Sequence, residues 1–301
     1  MSLSIRMVII WRRAKAKVDR LLGNAPPDMR TARESTCPLP YEIVEMIIAH
    51  LTHNLEALKA CSLTCHSWYI VAVPHLHHTL RLGPDRHGVT RNRLKPLSKL
   101  HELGLTSLVR EIRVRQFYGS RPWFVPEEFS RRDLRYFSAF TNIQTLQLGE
   151  LEIYRFIPGI ERYFEHFSPT LRSITLNYPR CTPRQLSHFL SLFSNLDNIE
   201  IRGVFTPPSS TTVPDTELVP FSAPNLQGRL MLREFGLVGT WTHLIASCGG
   251  LRFRYMDLRW VAGCAPILWE ACAETLETLR FYATDWSIGK RFNMGLSTGS
   301  S

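Results

Sequence analysis

Three residues near the N-terminal third of this 301-residue chain could hold a metal ion. Cys61, Cys65 and His66 have the spacing Cys-x-x-x-Cys-His, which superficially suits zinc. A structural zinc site needs a fourth ligand and usually a second ligand pair nearby, and the next cysteine is Cys181. The favoured interpretation is that these cysteines are small buried side chains, as free cysteines usually are. We therefore expect no metal site here.

Other groupings that could do chemistry are equally incomplete. His75, His77 and His78 have no acidic or cysteine ligand beside them, so we interpret them as exposed residues or as caps of a helix end. The phosphate-binding, dinucleotide-binding, zinc-protease and serine-hydrolase motifs are missing from the sequence. The adjacent pair Glu127-Glu128 suits a solvated turn. The expectation is a protein that is not an enzyme and needs no cofactor.

Cysteine usage and the N-terminus indicate where the protein resides. Seven cysteines are scattered without a repeated close pair, which favours a reducing compartment. The apolar run 7–11 is too short for a secretory signal, which needs about 7 to 15 residues, or for a spanning helix of about 20. We expect an intracellular protein, cytoplasmic, nuclear or both, without membrane association. Residues 1–18 are basic and contain no acid, so a mitochondrial presequence is the alternative.

The net charge of +10 is local rather than general. Hydrophobic residues make up 44% and charged residues 21%, as in ordinary globular chains. Residues 1–37 carry a net charge of +5, residues 81–135 carry +7, and the remainder carries −2. Neither basic segment resembles a nucleic-acid-binding fold, so nucleic acid is an unlikely partner. The basic segments suit acidic or phosphorylated protein surfaces instead.

The elements that must position these residues begin with a short helical region. Pro38 and Pro40 suit a helix start. The apolar residues that follow cover an arc of about 200°, wider than the single stripe of a surface helix; they are Ile43, Val44, Met46, Ile47, Ile48 and Leu51. Two explanations remain equally open. The helix is either sunk in a core or contacts its own domain on one side and a partner on the other.

Two further helices complete this region. The spacing of apolar residues predicts one from Leu55 to Cys65, with Asn54 as the N-cap, and a short one that holds Trp68 and ends near Pro74. Three short helices in about 40 residues form too small a core to be stable alone. We expect them to pack on a partner or on the following domain.

From residue 105 onward, short leucine-rich runs alternate with helix-compatible stretches. We take as equivalent the residues Ile112, Leu146, Ile174, Ile199, Phe235, Met256 and Leu279, which are 34, 28, 25, 36, 21 and 23 residues apart. Most of these spacings suit leucine-rich repeats of about 20 to 29 residues. Predicted helices cover 160–167, 183–193 and 265–276, with Thr182 capping the second. Polar residues at alternate strand positions favour a sheet with one exposed face rather than a doubly wound domain.

The predicted architecture is therefore α+β or α/β, with a small three-helix unit before an irregular solenoid of parallel strands and helices. The expected divisions are a flexible basic leader (1–37) with a helix near 8–22, the helical domain (38–82), a basic linker (83–104), the repeat domain (105–285) and a disordered tail (286–301). Residues 206–214, rich in Pro and Thr, are expected to form an exposed loop between repeats.

The helical region resembles the F-box motif. That motif has Leu-Pro, an acidic residue, a hydrophobic helix and then Ser-x-x-Cys-basic-x-Trp. Here Leu39-Pro40 precede the helix, and Ser62, Cys65, His66 and Trp68 fill the later positions, with His66 where Lys or Arg is usual. The match covers about 45 of the 301 residues. Leucine-rich repeats after such a motif are a common arrangement, particularly in the divergent sets found in fungi.

The resemblance implies the substrate-recognition subunit of an SCF-type ubiquitin ligase. Such a subunit binds a Skp-type adaptor, and through it a cullin and RING ligase, while the repeats bind the protein substrate. By resemblance, the residues that meet the adaptor are Leu39, Pro40, Ile43, Ile47 and Leu58. The expected core residues of the motif are Leu51, Cys65 and Trp68, since a large indole consolidates a small core.

The repeats are expected to present their polar alternate positions to the protein substrate. These candidate substrate-facing residues are Arg113, Arg115, Gln147, Thr175, Glu200, Asp257 and Arg259. The alternative to the ligase adaptor is a leucine-rich-repeat scaffold that binds nucleic acid or an acidic surface and has no role in ubiquitin ligation.

Overall fold

The computed structural model of the chain describes residues 39–83, 95–115, 131–153, 161–203, 226–233, 251–259 and 265–282. The predicted leader, its helix near 8–22, the loop 206–214 and the tail 286–301 lie outside these ranges. The described helices are α1 (Tyr41–His50), α2 (Leu55–Ser62), α3 (His66–Leu76), α4 (Lys95–Glu102), α5 (Arg131–Ser138), α6 (Glu161–Phe164), α7 (Pro183–Ser191) and α8 (Ala265–Cys272). Two short 3-10 helices cover Thr106–Leu108 and Glu165–Phe167.

Eight parallel strands form one sheet in the order of the chain. They are β1 (Thr79–Leu82), β2 (Glu111–Val114), β3 (Thr145–Gly149), β4 (Ser173–Asn177), β5 (Asn198–Arg202), β6 (Gln227–Arg233), β7 (Arg252–Arg259) and β8 (Thr278–Tyr282). Each strand pairs with the next one in sequence, and helices lie in most of the intervals. The prediction of three N-terminal helices followed by a leucine-rich-repeat-like α/β solenoid is therefore confirmed.

Helices α1, α2 and α3, called the helical trio below, share a small core. Five side chains are buried in it: Val44, Ile48, Leu58, Val71 and Ala72. The predicted cap of α2 is present, since the side chain of Asn54 accepts a hydrogen bond from the backbone N–H of Ala57 at 3.0 Å. Helix α3 continues two residues beyond Pro74, because a proline in the last turn removes only one helical hydrogen bond.

Helix α3 also packs against the segment that leads to the sheet. Tyr69 and Val73 form a second buried cluster with Leu105, and Leu100 and Leu108 pack against it. The trio thus uses the following domain to complete its packing, as its small size requires.

Strands β2 to β5 begin in the same way. The N–H groups of Gln144 and Thr145 both donate to the carbonyl of Arg110, at 2.7 and 3.0 Å, and those of Arg172 and Ser173 both donate to Gln144 at 2.9 Å. A side chain just before the strand adds a further bond, as when Thr170 Oγ1 donates to the carbonyl of Ile143 at 2.8 Å. These repeated bonds satisfy the backbone where one repeat meets the next.

The main core lies between the sheet and the helices. Strand residues such as Ile112, Leu146 and Ile174 are level across the sheet and fully buried. Phenylalanines fill the helical side of this core, with the Phe164 and Phe189 rings edge to face at 5.3 Å. Helix α7 begins with the predicted cap: Thr182 Oγ1 accepts from the N–H of Gln185 at 3.2 Å, and the Gln185 side chain accepts in return.

Two strand assignments made from the sequence need correction. Leu230, not Phe235, is level with Ile199 and Met256, so β6 begins earlier than the run 232–237 suggested. The sheet also begins earlier, at Thr79, inside the stretch assigned to the helical domain. Strand β1 was missed because it has only four residues and follows α3 almost directly. Of the described helices, none combines the length and apolar character needed to cross a membrane.

A glycine sets the irregular register between β6 and its neighbours. Gly228 has a φ of 82° and lies where the pairing of β6 with β7 shifts. A Cβ at this position would overlap the backbone carbonyl of Asp197, which accepts a hydrogen bond from the N–H of Arg229 at 2.7 Å. Both the conformation and the close approach therefore require glycine.

We predict that Gly228→Ala lowers the free energy of unfolding by about 3 kcal/mol, through left-handed strain plus a backbone clash. Gly104→Ala is the matched control, since Gly104 has a φ of 68° but no atom within 4 Å of an added Cβ. We expect it to cost about 1 kcal/mol from strain alone. Urea unfolding measures both, and equal losses would contradict the proposed close approach.

Candidate protein-binding surfaces

Helix α1 divides its wide apolar arc into a buried half and an exposed half. Val44 and Ile48 are fully buried in the helical trio. Ile43 is 38% exposed and Met46 58% exposed, and Ile47, on the side of Ile43 nearer the buried residues, is half-buried. The helix is therefore not sunk in a core, and the outward half of its apolar surface is open to solvent.

Large apolar side chains are exposed on this part of the chain more than elsewhere. Six of the ten exposed large hydrophobic residues among the described ranges lie between residues 39 and 63: Leu39, Tyr41, Ile43, Met46, Leu55 and Leu63. Concentrations of exposed apolar side chains are typical of surfaces that associate with other molecules. Tyr41, Met46, Leu55 and Leu63 were not assigned to the adaptor surface from the sequence, although Met46 belongs to the predicted apolar arc.

The remaining residues of the resemblance occupy several environments. Pro40 is exposed and is the N-cap residue of α1, where its carbonyl accepts from the N–H groups of Ile43 and Val44. Leu51 and Trp68 pack against the trio core, as expected of core residues. Cys65 is half-buried and is the N-cap residue of α3.

One of the residues assigned to the adaptor surface requires correction. Leu58 is only 1% exposed and lies within the trio core, because it faces α3 rather than solvent. Its side chain cannot meet a partner without opening the trio, so we assign it to the core.

Three cysteines of the described ranges are poor nucleophiles. Burial raises the pKa of Cys61 above its ordinary value, and burial raises the pKa of Cys181 and of Cys272 as well. Protonated thiols neither attack substrates nor bind metals well. Over the same ranges, no group of three or more His, Cys, Asp or Glu side chains is placed to hold a metal ion.

The second surface is the side of the sheet opposite the helices, called the open face below. Its side chains alternate with the core-facing residues and form three rows that run across the strands. The first row is Thr79, Glu111, Thr145, Ser173, Asn198, Arg229, Tyr255 and Thr278; the second is Arg81, Arg113, Gln147, Thr175, Glu200, Met231, Asp257 and Arg280; the third is Gly149, Asn177, Arg202, Arg233, Arg259 and Tyr282. These rows contain seven arginines, three acids and no lysine, so the open face is basic.

Each acid of the open face holds the arginine two residues later. Arg113 donates from Nε and Nη2 to the two carboxylate oxygens of Glu111, at 2.8 and 2.9 Å. Arg259 does the same with Asp257 at 3.0 and 3.1 Å. The repeated pattern is acid, aliphatic residue, arginine, and such two-bond pairs fix the guanidinium plane.

The third pair is shared across strands. Arg202 Nε donates to Glu200 Oε1 at 2.9 Å, and Arg233 Nε on the next strand lies 3.2 Å from the same oxygen. Glu200 is 33 positions from Arg233 in sequence, so only the strand register brings the two together. One carboxylate therefore forms ion pairs with two guanidinium groups.

All seven predicted substrate-facing residues lie on this side of the chain, but three are not accessible. Arg113, Arg115, Gln147 and Arg259 are exposed or half-buried. Thr175, Glu200 and Asp257 are 8%, 7% and 4% exposed. The prediction that these three meet a ligand directly needs correction: the two acids are supports for arginines, and Thr175 is covered by its neighbours.

A hollow of about 290 Å³ lies at the carboxyl ends of β2, β3 and β4. Its lining includes Arg113, Gln147, Glu150 and Tyr178. Glu150 and Tyr178 have φ values of 52° and 50°, which turn the chain sharply after β3 and β4. Carboxyl ends of parallel strands are common sites of ligand binding, and here the lining is largely polar.

The chain matches no protein-family model, no curated protein and no solved structure. The two surfaces must therefore be judged on their own chemistry. One is apolar and lies on the helical trio, and the other is rich in arginine and lies on the open face.

The pair of Glu111 with Arg113 makes the fold sensitive to acid. Burial alone raises the pKa of Glu111, but hydrogen bonds from Arg113 and Thr79 outweigh it and hold the pKa below the ordinary value. A lowered pKa means that the ionised carboxylate stabilises the fold above its ordinary titration range. That stabilisation is lost as the pH falls through the pKa of the folded state.

We predict that Glu111→Gln lowers the free energy of unfolding by about 2 kcal/mol at neutral pH, since it weakens charged hydrogen bonds to Arg113. The difference from wild type should shrink as the pH falls through the lowered pKa of Glu111, where Glu111 itself becomes protonated. Denaturant unfolding at several pH values measures this. Glu56→Gln is the control, because its 2.7 Å pair with Lys59 is exposed and is worth less than about 0.5 kcal/mol. A difference that is independent of pH would contradict the assignment.

Proposed function

We propose that the protein is the substrate-recognition subunit of an SCF-type cullin-RING ubiquitin ligase. In this proposal the helical trio is an F-box that binds a Skp-type adaptor, and the open face of the sheet binds a protein substrate. The protein carries out no covalent step itself. Its contribution is to raise the effective concentration of a substrate lysine near the ubiquitin-charged enzyme.

The observation that carries the proposal is the exposed half of the apolar arc on α1. A trio without a partner gains no stability from Ile43 and Met46, which are exposed to water, while Val44 and Ile48 fill its core. Burying such side chains on association contributes about 25 cal/mol for each Å² of apolar surface removed from water. A partner that covers this face accounts for both halves of the arc.

The F-box resemblance supports the same assignment at separate points. Leu39 and Pro40 lie immediately before α1, and Leu39 is 40% exposed. Trp68 packs against the trio core, and Ser62, Cys65 and His66 occupy the end of α2 and the start of α3. The adaptor surface that we propose therefore comprises Leu39, Pro40, Ile43 and Ile47, with Met46 added.

A second candidate function is a scaffold that binds nucleic acid and has no role in ubiquitin ligation. The observation in its favour is the excess of arginines over acids on the open face. Binding of this kind would not involve the trio and would weaken steeply with salt, because bound phosphates release counterions. A salt titration with duplex DNA and with RNA, set beside adaptor binding, separates the two functions.

The test is coprecipitation of the full chain with a Skp-type adaptor. We expect wild type to retain the adaptor and Ile43→Asp to lower the retained amount at least about tenfold, because a charge would be buried at the interface. The double variant Leu39→Ala/Pro40→Ala should also bind less. Trp269→Asp is the control, since Trp269 is likewise 38% exposed and lies on helix α8.

Helical content and melting temperature, measured on each variant, show that a loss of binding is not a loss of folding. Absence of adaptor binding by wild type, or equal binding by wild type and a folded Ile43→Asp variant, would overturn the proposal.

A further inference from the structure

The open face is most strongly basic over its last four strands, β5 to β8. Its rows contain five arginines there, Arg202, Arg229, Arg233, Arg259 and Arg280, against two acids. Arg202, Arg233 and Arg259 occupy the same row on three adjacent strands. Neighbouring strands are about 4.8 Å apart, so these guanidinium groups form a closely spaced line. We call this line the arginine row.

The acids lie beneath the arginines that they hold. The side chains of Glu200 and Asp257 are 10% and 6% exposed, whereas those of Arg202, Arg233 and Arg259 are 44%, 34% and 37% exposed. Each pair thus turns its negative end toward the sheet and its positive end toward solvent. Arg259 uses two of its five N–H groups on Asp257, and the others remain for a further acceptor.

Arginines lie over both tyrosine rings in the same region. Arg229 lies 4.1 Å from the centre of the Tyr255 ring, with Arg280 at 5.6 Å, and Arg259 lies 4.7 Å from the centre of the Tyr282 ring. Cation–π contacts of this type hold the guanidinium groups in place. They also occupy ring faces on which the bases of a nucleic acid would stack.

We propose that the arginine row, with Arg280 beside it, binds an acidic segment of a protein through the carboxylates of Asp and Glu side chains. A guanidinium group that is already oriented can offer a fork of N–H donors to a carboxylate at little entropic cost. This inference rests on the proposed function, since it names the class of substrate that the open face accepts.

Charge placement favours separate carboxylates over a nucleic acid. Glu200 and Asp257 lie in the row beside the arginine row and neutralise part of its charge, which weakens the general attraction of a phosphate backbone. Acidic side chains of a protein can instead meet the outward N–H groups of individual guanidinium groups. The row contains no lysine, which also fits recognition by planar two-bond pairs rather than by general charge.

The experiment measures binding of the full chain to a fluorescent peptide in which glutamate alternates with alanine. We expect binding that weakens with salt, and no binding of the matched peptide with glutamine in place of glutamate. A phosphoserine peptide of the same pattern and a single-stranded oligonucleotide of equal charge are measured beside it.

Arg233→Met/Arg280→Met is the informative double variant. Glu200 keeps Arg202 when Arg233 is removed, and Arg280 has no acid partner among the described residues, so no buried acid loses its only cation. We expect the affinity for the glutamate peptide to fall at least about tenfold, as for the loss of one charged hydrogen bond. Arg184→Met on helix α7, on the other side of the sheet, is the control and should bind as wild type does.

The possible outcomes decide the inference. Glutamate-peptide binding that depends on Arg233 and Arg280 supports it. The inference is overturned if the glutamate peptide fails to bind, if glutamine binds equally, if only phosphoserine binds, or if the oligonucleotide binds more tightly. A double variant that melts like wild type and binds the peptide unchanged also overturns it. Should the double variant not fold, the comparison of peptides on wild type still decides.

The inference and the proposed function fail separately. The arginine variants should retain the Skp-type adaptor, and Ile43→Asp should retain the glutamate peptide. Loss of peptide binding alone with adaptor binding intact overturns only the substrate class. Adaptor binding that is absent while the peptide binds overturns the ligase role and leaves the basic surface as described.

Discussion

The register of the parallel sheet is the constraint on which the rest of the molecule depends. Ile112, Leu146 and Ile174 are buried because they are level with one another and with the helices behind them. Side chains alternate along a strand, so a slip by one residue would bring arginines and acids into the core. The same register that closes the core also assembles Glu200 and Arg233 on the open face.

The periodicity of the sequence predicted most strands, because alternation of apolar and polar residues determines which side chains of a strand face the core. It failed at β6, where apolar residues recur at 230, 232, 235 and 237 and so fit more than one register. The shift at Gly228 that decides between them depends on a close approach to Asp197. The spacing of apolar residues within one strand carries no information about such a contact. Strand β1 was too short to show a period at all.

The binding surfaces were predictable in type but not in detail. The wide apolar arc alone does not predict which half of α1 is buried, since that depends on where α2 and α3 lie. Alternation placed Glu200 and Asp257 on the open face correctly, yet their burial comes from arginines on the same and neighbouring strands. The sequence does contain a signal for these pairs, because an acid precedes an arginine by two residues at 111–113, 200–202 and 257–259.

Helix α3 belongs to two cores at once. Val71 and Ala72 face the other helices of the trio, while Tyr69 and Val73 face Leu105 and the start of the sheet. Because both sides of one rigid rod are packed, the trio cannot swivel without breaking one of the two clusters. The position and the angle of α3 relative to the sheet are therefore fixed. The packing of this single helix therefore sets the orientation of the open face relative to any molecule that the trio binds.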